Sequence, residues 1–428
     1  MEWTLAIVAL AVIGVAAISN RLTGTPVTPA MVLIGLGLII GPQLLGGVGD
    51  GDRSAAVRAL AEATLALLLF CDASRIDLRR IDGSADVSLR LLAFGLPLTI
   101  GLGAIAAGLV FDQLSLGEAL VLGVILAPTD AALGQAVITA REVPTRIRQG
   151  LNVESGLNDG ICVPLLFAAV AAADVESHIA EGRSAATLLL EEIGYGMLGG
   201  IVAGALIAGL IVYAGRRGLI SKNWRQVIPA GGAALAFGIA EPLGGSGFVA
   251  AFVAGLAFRL LLREDPGELN EFSEEIGSVL NGVTFFFFGA VLLRPALDQV
   301  TWEIVLYAAL SLTAVRMVPV ILAMIGSGAR PPTLAFLGWF GPRGLASIVF
   351  AVILIEESSL PYESLIVVVA FVTVGISVLL HGLSAAPLAR RYGRWYETHP
   401  PRQRPPMESV EVEVGRARGP RLRWPRPF

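Results

Sequence analysis

Leu151-Asn152-Val153-Glu154-Ser155-Gly156-Leu157-Asn158-Asp159-Gly160 runs without a break into an apolar stretch from Ile161 to Ala173. Glu154, Ser155, Asn158 and Asp159 therefore fall inside one long span of helical, water-averse sequence. An ionised carboxylate at the centre of a bilayer costs several kcal/mol, so an acid in such a span reads as a functional group by default. About 20 residues upstream, Pro128-Thr129-Asp130 interrupts a second apolar run with another acid. Two acids on neighbouring spans point to a pathway for a cation or a proton.

Composition supports a polytopic membrane protein. The 428 residues are 55% hydrophobic and only 15% charged, with a mean hydropathy of +0.73, well outside soluble globular usage. The 50 glycines suit helices that pack closely inside a membrane. The net charge of −4 does not identify a partner, and no basic patch with interleaved aromatics suggests nucleic acid. Cys71 and Cys162 both lie in apolar segments, which argues against a disulfide framework. The N-terminus lacks the basic region of a signal peptide, so the run from Thr4 to Ile18 reads as a first span.

A span needs roughly 20 apolar residues. That ruler predicts an all-α protein with thirteen spans, at 4–19, 27–45, 55–72, 87–111, 116–140, 147–173, 187–214, 227–242, 246–262, 276–293, 302–326, 333–355 and 362–387. An odd number puts the termini on opposite sides. Arginine and lysine crowd one set of loops: Arg21, Arg75, Arg79, Arg80, Arg141, Arg146, Arg148, Arg216, Arg217, Lys222, Arg225, Arg263, Arg330, Arg390, Arg391 and Arg394. The opposite loops hold Arg53, Arg58, Arg183 and Arg294. The positive-inside rule then places the N-terminus outside and the C-terminus in the cytoplasm of a cell inner membrane. Residues 1–395 form the membrane domain on this reading. The Pro- and Arg-rich segment 396–428 is expected to be a disordered cytoplasmic tail.

The fifth and twelfth spans are both interrupted, by Pro128-Thr129-Asp130 and by Gly341-Pro342-Arg343-Gly344. If spans 1–6 and 8–13 are two inverted halves joined by span 7, the breaks occupy matching places. Such paired Gly/Pro interruptions point to a transporter binding site. Proline frees a carbonyl one turn back, and half-helix ends then face an ion.

In the sixth span, residues four apart share a face. Ser155 and Asp159 share one face, and Glu154 and Asn158 share another about 100° away. The first, with Asp130 and a freed carbonyl near Thr129, offers hard oxygen ligands for a small dehydrated cation. The second holds an acid that needs a cationic partner, because bare buried charge is prohibitive. Arg343 and Arg316 are the candidates, and Arg343 is favoured for its symmetry-matched place. Asp72, ending Leu68-Leu69-Phe70-Cys71-Asp72, is a fourth acid able to approach the site through water. Mutually exclusive occupancy of Asp159 and Asp130 by a cation or protons, with movement only when loaded, gives obligatory exchange.

Three elements in order, Ala127-Pro128-Thr129-Asp130, Glu154 with Asn158-Asp159, and Gly341-Pro342-Arg343-Gly344, resemble the cation–proton antiporter superfamily, in particular its sodium/proton exchanger branch of the antiporter-1 type. The similarity covers about residues 1–395. It implies a thirteen-helix homodimer with a dimerisation domain and a six-helix ion-binding core. It also implies ion ligation by Asp159, Asp130, Ser155 and the Thr129 carbonyl, supported by Glu154, Asn158 and Arg343. Sodium or lithium and protons would be the cargo, with no cofactor, no enzymatic activity and a role in pH homeostasis. Phe70-Cys71-Asp72 departs from the pattern, in which a Glu commonly follows the Phe-rich end of the third span. That branch carries Asn-Asp where the electrogenic branch has Asp-Asp, and one titrating acid fewer implies one proton per sodium, an electroneutral exchange.

Other readings compete. Potassium in place of sodium needs only a different cavity. A cation channel would not need a buried Arg in an interrupted span. An intramembrane aspartyl protease could use Asp130 and Asp159 as a dyad, but leaves Arg343 and Glu154 unexplained. His381 reads as an ordinary helix-end histidine, and His178 and His399 as exposed ones. The acidic run Glu264, Asp265, Glu268, Glu271, Glu274 and Glu275 reads as a solvated loop, and Phe285 to Phe288 as packing toward lipid or a partner.

Overall fold

The computed structural model describes residues 2–22, 25–44, 50–76, 85–177, 185–262, 267–357, 360–399 and 407–409. Within them the regular structure is helical and forms thirteen spans. They are α1 (Glu2–Leu22), α2 (Pro29–Leu44), α3 (Asp50–Arg75), α4 (Ala85–Arg90, continuing through a wide turn at Leu91–Gly95 into Leu96–Val110), α5a (Leu116–Ile125) with α5b (Gln135–Ile138), α6 (Thr145–Ser177) and α7 (Ala185–Arg216). Then come α8 (Lys222–Ala240), α9 (Gly247–Leu261), α10 (Gly267–Phe287, continuing through Phe288–Leu293 into Arg294–Leu297), α11 (Trp302–Leu312 and Ala314–Ala323), α12a (Pro331–Trp339) with α12b (Leu345–Glu357), and α13 (Glu363–Glu397). Six of these are individually long and apolar enough to cross a membrane, in α4, α6, α7, α10, α11 and α13. The broken pieces α5a and α12b, like α9, are shorter apolar helices.

Local chemistry explains the breaks. α5a starts with a capping box: the Ser115 hydroxyl accepts the Glu118 N–H at 3.2 Å, and the Ser115 N–H donates to Glu118 Oε2 at 2.9 Å. It ends at Ile125 because Pro128 has no N–H and disfavours helical backbone at Ala127. α12a opens on Pro331 and Pro332, where a missing N–H does no harm, and stops ahead of Gly341-Pro342.

Two sets of helices pack mainly among themselves. α4, α5, α6, α11, α12 and α13 form one, and α1, α2, α3, α7, α8, α9 and α10 the other. The second set is drawn together by glycine. A side chain on Gly37 would overlap the backbone of α10 at Phe286, and one on Gly289 would overlap α2 at Ile34; Gly200 and Gly204 approach α9 in the same way. Without a hydrophobic drive between helices in lipid, such close backbone approach supplies the packing. α3, α6, α9 and α12b meet where the two sets adjoin.

Several expectations change. Phe285, Phe286 and Phe288 are buried rather than lipid-facing, with Phe288 set edge-on to Phe371 of α13 at 5.7 Å. The acidic run is part of α10 from Gly267 onward, and Glu274 pairs with Arg75 across α3 and α10. Arg79, Arg80, Arg183, Arg263, Glu264, Asp265 and His178 lie outside the described residues, as do 400–406 and 410–428 of the tail. Met407 and Glu408 of that tail are described and buried: Met407 O accepts Arg146 Nη1–H at 3.0 Å. Cys71 and Cys162 are buried free thiols.

Candidate functional site

The two broken helices cross and satisfy one another. The Asp130 N–H donates to the Pro342 carbonyl at 2.8 Å, joining break to break. Arg343, fully buried, donates from Nη1 to the carbonyls of Ala127 at 2.8 Å and Pro128 at 3.3 Å. Ser347 of α12b donates its hydroxyl to Ile125 O at 2.7 Å. The bare carbonyls at the end of α5a, where the helix dipole is negative, therefore meet a guanidinium and a hydroxyl from the other break.

The reciprocal contact is Asp130. Its Oδ2 accepts the Leu345 N–H at the start of α12b at 3.1 Å, and its Oδ1 accepts the N–H groups of Ala132 at 2.7 Å and Leu133 at 3.2 Å. A carboxylate at a helix N-terminus is the favoured charge there. Gly344 is required at this point, because a side chain on it would occupy the place of the Asp130 carboxylate.

On α6 the residues depart from the division their spacing predicts in two places. Glu154 pairs with Arg316, not with the favoured Arg343: Nη1 and Nη2 reach Oε1 and Oε2 at 2.6 and 2.8 Å. Arg343 is taken up by the end of α5a. Arg316 gains its position because α11 kinks at Thr313, just before it, and because Gly341 leaves room for its guanidinium. Asn158, expected to act beside Glu154, instead donates from Nδ2 to Thr129 Oγ1 at 2.8 Å, and Thr129 Oγ1 lies 2.9 Å from Ser155 Oγ. Thr129 thus links both polar faces of α6 to the break in the fifth span.

Asp159 differs from Glu154 and Asp130. Its Oδ1 is buried, and among the described residues it has no hydrogen-bond partner. The charges of Asp130, Asp72 and Glu154 all act on it. Asp72 is brought to the site after all: its Cβ and Cγ lie 3.1 Å from where a Cβ on Gly156 would stand, less than one turn before Asp159. Arg75, 3.8 Å from Asp72, stands on the other side. A buried carboxylate oxygen without a donor requires a proton or a cation, and the neighbouring hard oxygens of Ser155, Thr129 and Asp72 suit a small one.

Sequence reasoning missed Ser347, Ser377, the room that Gly341 leaves for Arg316 and the internal placement of His381. The spacing of Ser377, His381 and Ser384 inside an otherwise apolar helix was the available signal for the last two.

Discontinuous helices that cross, with opposite charges at their ends and a carboxylate beside them, are the architecture of secondary transporters. A family model described as "Sodium/hydrogen exchanger, transmembrane" matches residues 7–391. The chain belongs to that family. It is 26% identical over 389 residues to the K(+)/H(+) antiporter NhaP2 of Shewanella oneidensis, covering 87% of this chain and 63% of that protein. It is 27% identical over 252 residues to the probable Na(+)/H(+) antiporter C3A11.09 of Schizosaccharomyces pombe, covering 56% and 33% respectively. The chain thus spans less than two thirds of the length of these relatives. The fold is similar to that of the sodium proton antiporter MjNhaP1 from Methanocaldococcus jannaschii, with a TM-score of 0.74 at 21% identity, covering 92% of this chain and 100% of that one.

Proposed function

We propose that the protein exchanges sodium or lithium for protons across a membrane, by competition of cation and proton at Asp159 with Asp130 beside it. The observation that carries this reading is the buried Asp159 Oδ1, which has no hydrogen-bond partner among the described residues and lies beside a crossing where Glu154 and Asp130 do have partners. Asp130 holds α12b in place and lends its charge. Ser155, Thr129 and Asp72 complete the oxygen environment, while Glu154, Asn158, Arg316 and Arg343 hold the frame. Alternating access follows when the set containing α4–α6 and α11–α13 moves as an ion-binding core against the remaining helices. Those helices serve as the dimerisation half of a homodimer, within a membrane domain at 1–395 ahead of a cytoplasmic tail.

The N-terminus lies outside and the C-terminus in the cytoplasm of the inner membrane on the loop arginine bias. One titrating acid opposite one cation makes the exchange electroneutral. The cargo ions are substrates, and the protein needs no cofactor and catalyses no reaction. Potassium is the second reading, favoured by the printed names of the bacterial relatives. A protease dyad is disfavoured because the Asp130 carboxylate is held by three backbone N–H groups.

The test is ion-driven proton flux in liposomes, read by a pH dye, with sodium, lithium, potassium or no added cation. Sodium-dependent flux lost in Asp159→Asn supports the reading. A potassium-only response keeps the mechanism and changes the cargo. Wild-type flux in Asp159→Asn would refute it.

A further inference from the structure

His381 sits in the middle of α13, is 2% exposed and takes no part in the exchange chemistry described above. Its ring spans the break in the twelfth span. Nε2 lies 2.9 Å from the carbonyl of Trp339, the last residue of α12a. Nδ1 lies 3.1 Å from Ser377 Oγ and 3.0 Å from Ser377 O. Ser377 Oγ in turn accepts the Arg343 N–H at 2.7 Å, on the far side of the break. The Trp339 indole is held as well, donating Nε1–H to Ser384 Oγ at 2.9 Å, and its ring stands 5.4 Å from the imidazole. Three polar residues of α13 at one face thus hold both lips of the interruption.

The pattern of partners assigns the tautomer. Nε2 faces only a carbonyl, so it carries the hydrogen and donates. Nδ1 is then an acceptor and takes the Ser377 hydroxyl hydrogen, which leaves the Ser377 lone pairs for the Arg343 N–H. The Ser377 carbonyl, 3.0 Å from Nδ1, receives no hydrogen from the ring in this tautomer, so the link to Ser377 runs through its hydroxyl. The chain of bonds runs from Trp339 through His381 and Ser377 to Arg343. One residue further lies Gly344, against the Asp130 carboxylate, and then Leu345, whose N–H that carboxylate accepts.

We propose that His381 is a positioning residue for ion exchange: through Ser377 it fixes the opening of the α12 break, and with it the Arg343–Ala127 and Leu345–Asp130 contacts that frame Asp159. This rests on the exchange reading, but its geometric half stands apart from it. Leucine or phenylalanine at this place would fill the space and leave the Trp339 carbonyl and the Ser377 hydroxyl without partners.

The experiment compares the wild type, His381→Phe, His381→Gln and Ser377→Ala in the full-length protein. Hydrogen–deuterium exchange over residues 336–348 reads the break itself. Exchange is expected to quicken in His381→Phe and Ser377→Ala, and to fall between these and wild type in His381→Gln, whose amide nitrogen replaces Nε2 at the Trp339 carbonyl but which has no acceptor at the Nδ1 position for Ser377. Cation-driven proton flux reads the consequence. The half-saturating cation concentration is expected to rise about tenfold in His381→Phe, the equivalent of one lost hydrogen bond, with the maximal rate little changed. Ser377→Ala should match it, and the double variant should add nothing further, since both cut one chain of bonds. Unchanged deuterium exchange across the break in His381→Phe would overturn the proposal, as would a loss of maximal rate with unchanged half-saturation. Absence of cation-driven flux in the wild type would refute the exchange reading alone, with the deuterium arm still deciding whether His381 holds the break.

Discussion

Removing Arg316 should damage the protein far more than removing the pair it belongs to. Arg316 and Glu154 each keep only 2% of their side-chain surface exposed, and two charge-assisted bonds of 2.6 and 2.8 Å join them. At an effective dielectric of 20, unit charges about 4 Å apart attract by about 4 kcal/mol. Deleting one member of a buried pair costs about 3–5 kcal/mol, because the other charge is left bare in a place water does not reach. Arg316→Met is therefore expected to lose about 3–5 kcal/mol of stability, and Glu154→Leu a similar amount. Replacing both together with apolar side chains of similar volume removes the bare charge, and the double variant should recover to within about 1 kcal/mol of the wild type. Denaturant titration in detergent, followed by tryptophan fluorescence, supplies the four free energies of a double-mutant cycle. Losses that simply add, to about 6–10 kcal/mol in the double variant, would show that the two side chains do not act as a pair.

Other perturbations follow from the same geometry. Gly341→Ala would set a Cβ 2.5 Å from Arg316 Nε; it should cost about 1–3 kcal/mol in the wild type and little once Arg316 is Met, a non-additivity read from the same titrations. Asp130→Asn turns one accepting oxygen into a donor facing an N–H group, so a loss of about 1–3 kcal/mol is expected even where the shape is kept; wild-type unfolding would refute the cap at Leu345. Glu408 Oε1 accepts the Thr333 hydroxyl at 2.6 Å and the Arg330 N–H at 3.1 Å, at a helix start that has no side-chain cap of its own. Glu408→Ala should lower stability by about 1 kcal/mol and speed proteolysis of the tail; unchanged digestion would show that this segment is not held.

The helices were legible as apolar runs, six of them long enough to cross a bilayer by themselves, and so were both breaks, because proline and glycine interrupt helices wherever they fall. That Ser155 and Asp159 share a face of α6 followed from four-residue spacing, whereas Thr129, on another span, entered through the break and lies against Ser155. The partner of Glu154 did not. Both arginines are buried on the second half of the chain, and which one meets Glu154 depends on the kink at Thr313 and on the carbonyls of Ala127 and Pro128 competing for Arg343. Those are facts of three-dimensional arrangement with no periodicity to announce them. His381 was misread for another reason: its distance from the end of the apolar run suggested a surface, whereas α13 continues to Glu397 and leaves it deep inside. The stripe Ser377, His381, Ser384 was the better guide, since polar groups at one face of an apolar helix need partners.

The crossing also bears on how membrane voltage reaches the transporter. The charges around its centre are each offset: Glu154 is paired with Arg316, Asp72 stands 3.8 Å from Arg75, and Asp130 and Arg343 each sit on the oppositely charged end of a half-helix. Asp159 is the remainder. Once it holds one proton or one monovalent cation, the centre carries no net charge in either loaded form. A potential of 100 mV does about 2.3 kcal/mol of work on each elementary charge that traverses it, and on an uncharged assembly it does none. On the exchange reading proposed above, a carrier built this way reorients at the same rate in a polarised cell as in a depolarised one, and only the two ion gradients decide which way it turns.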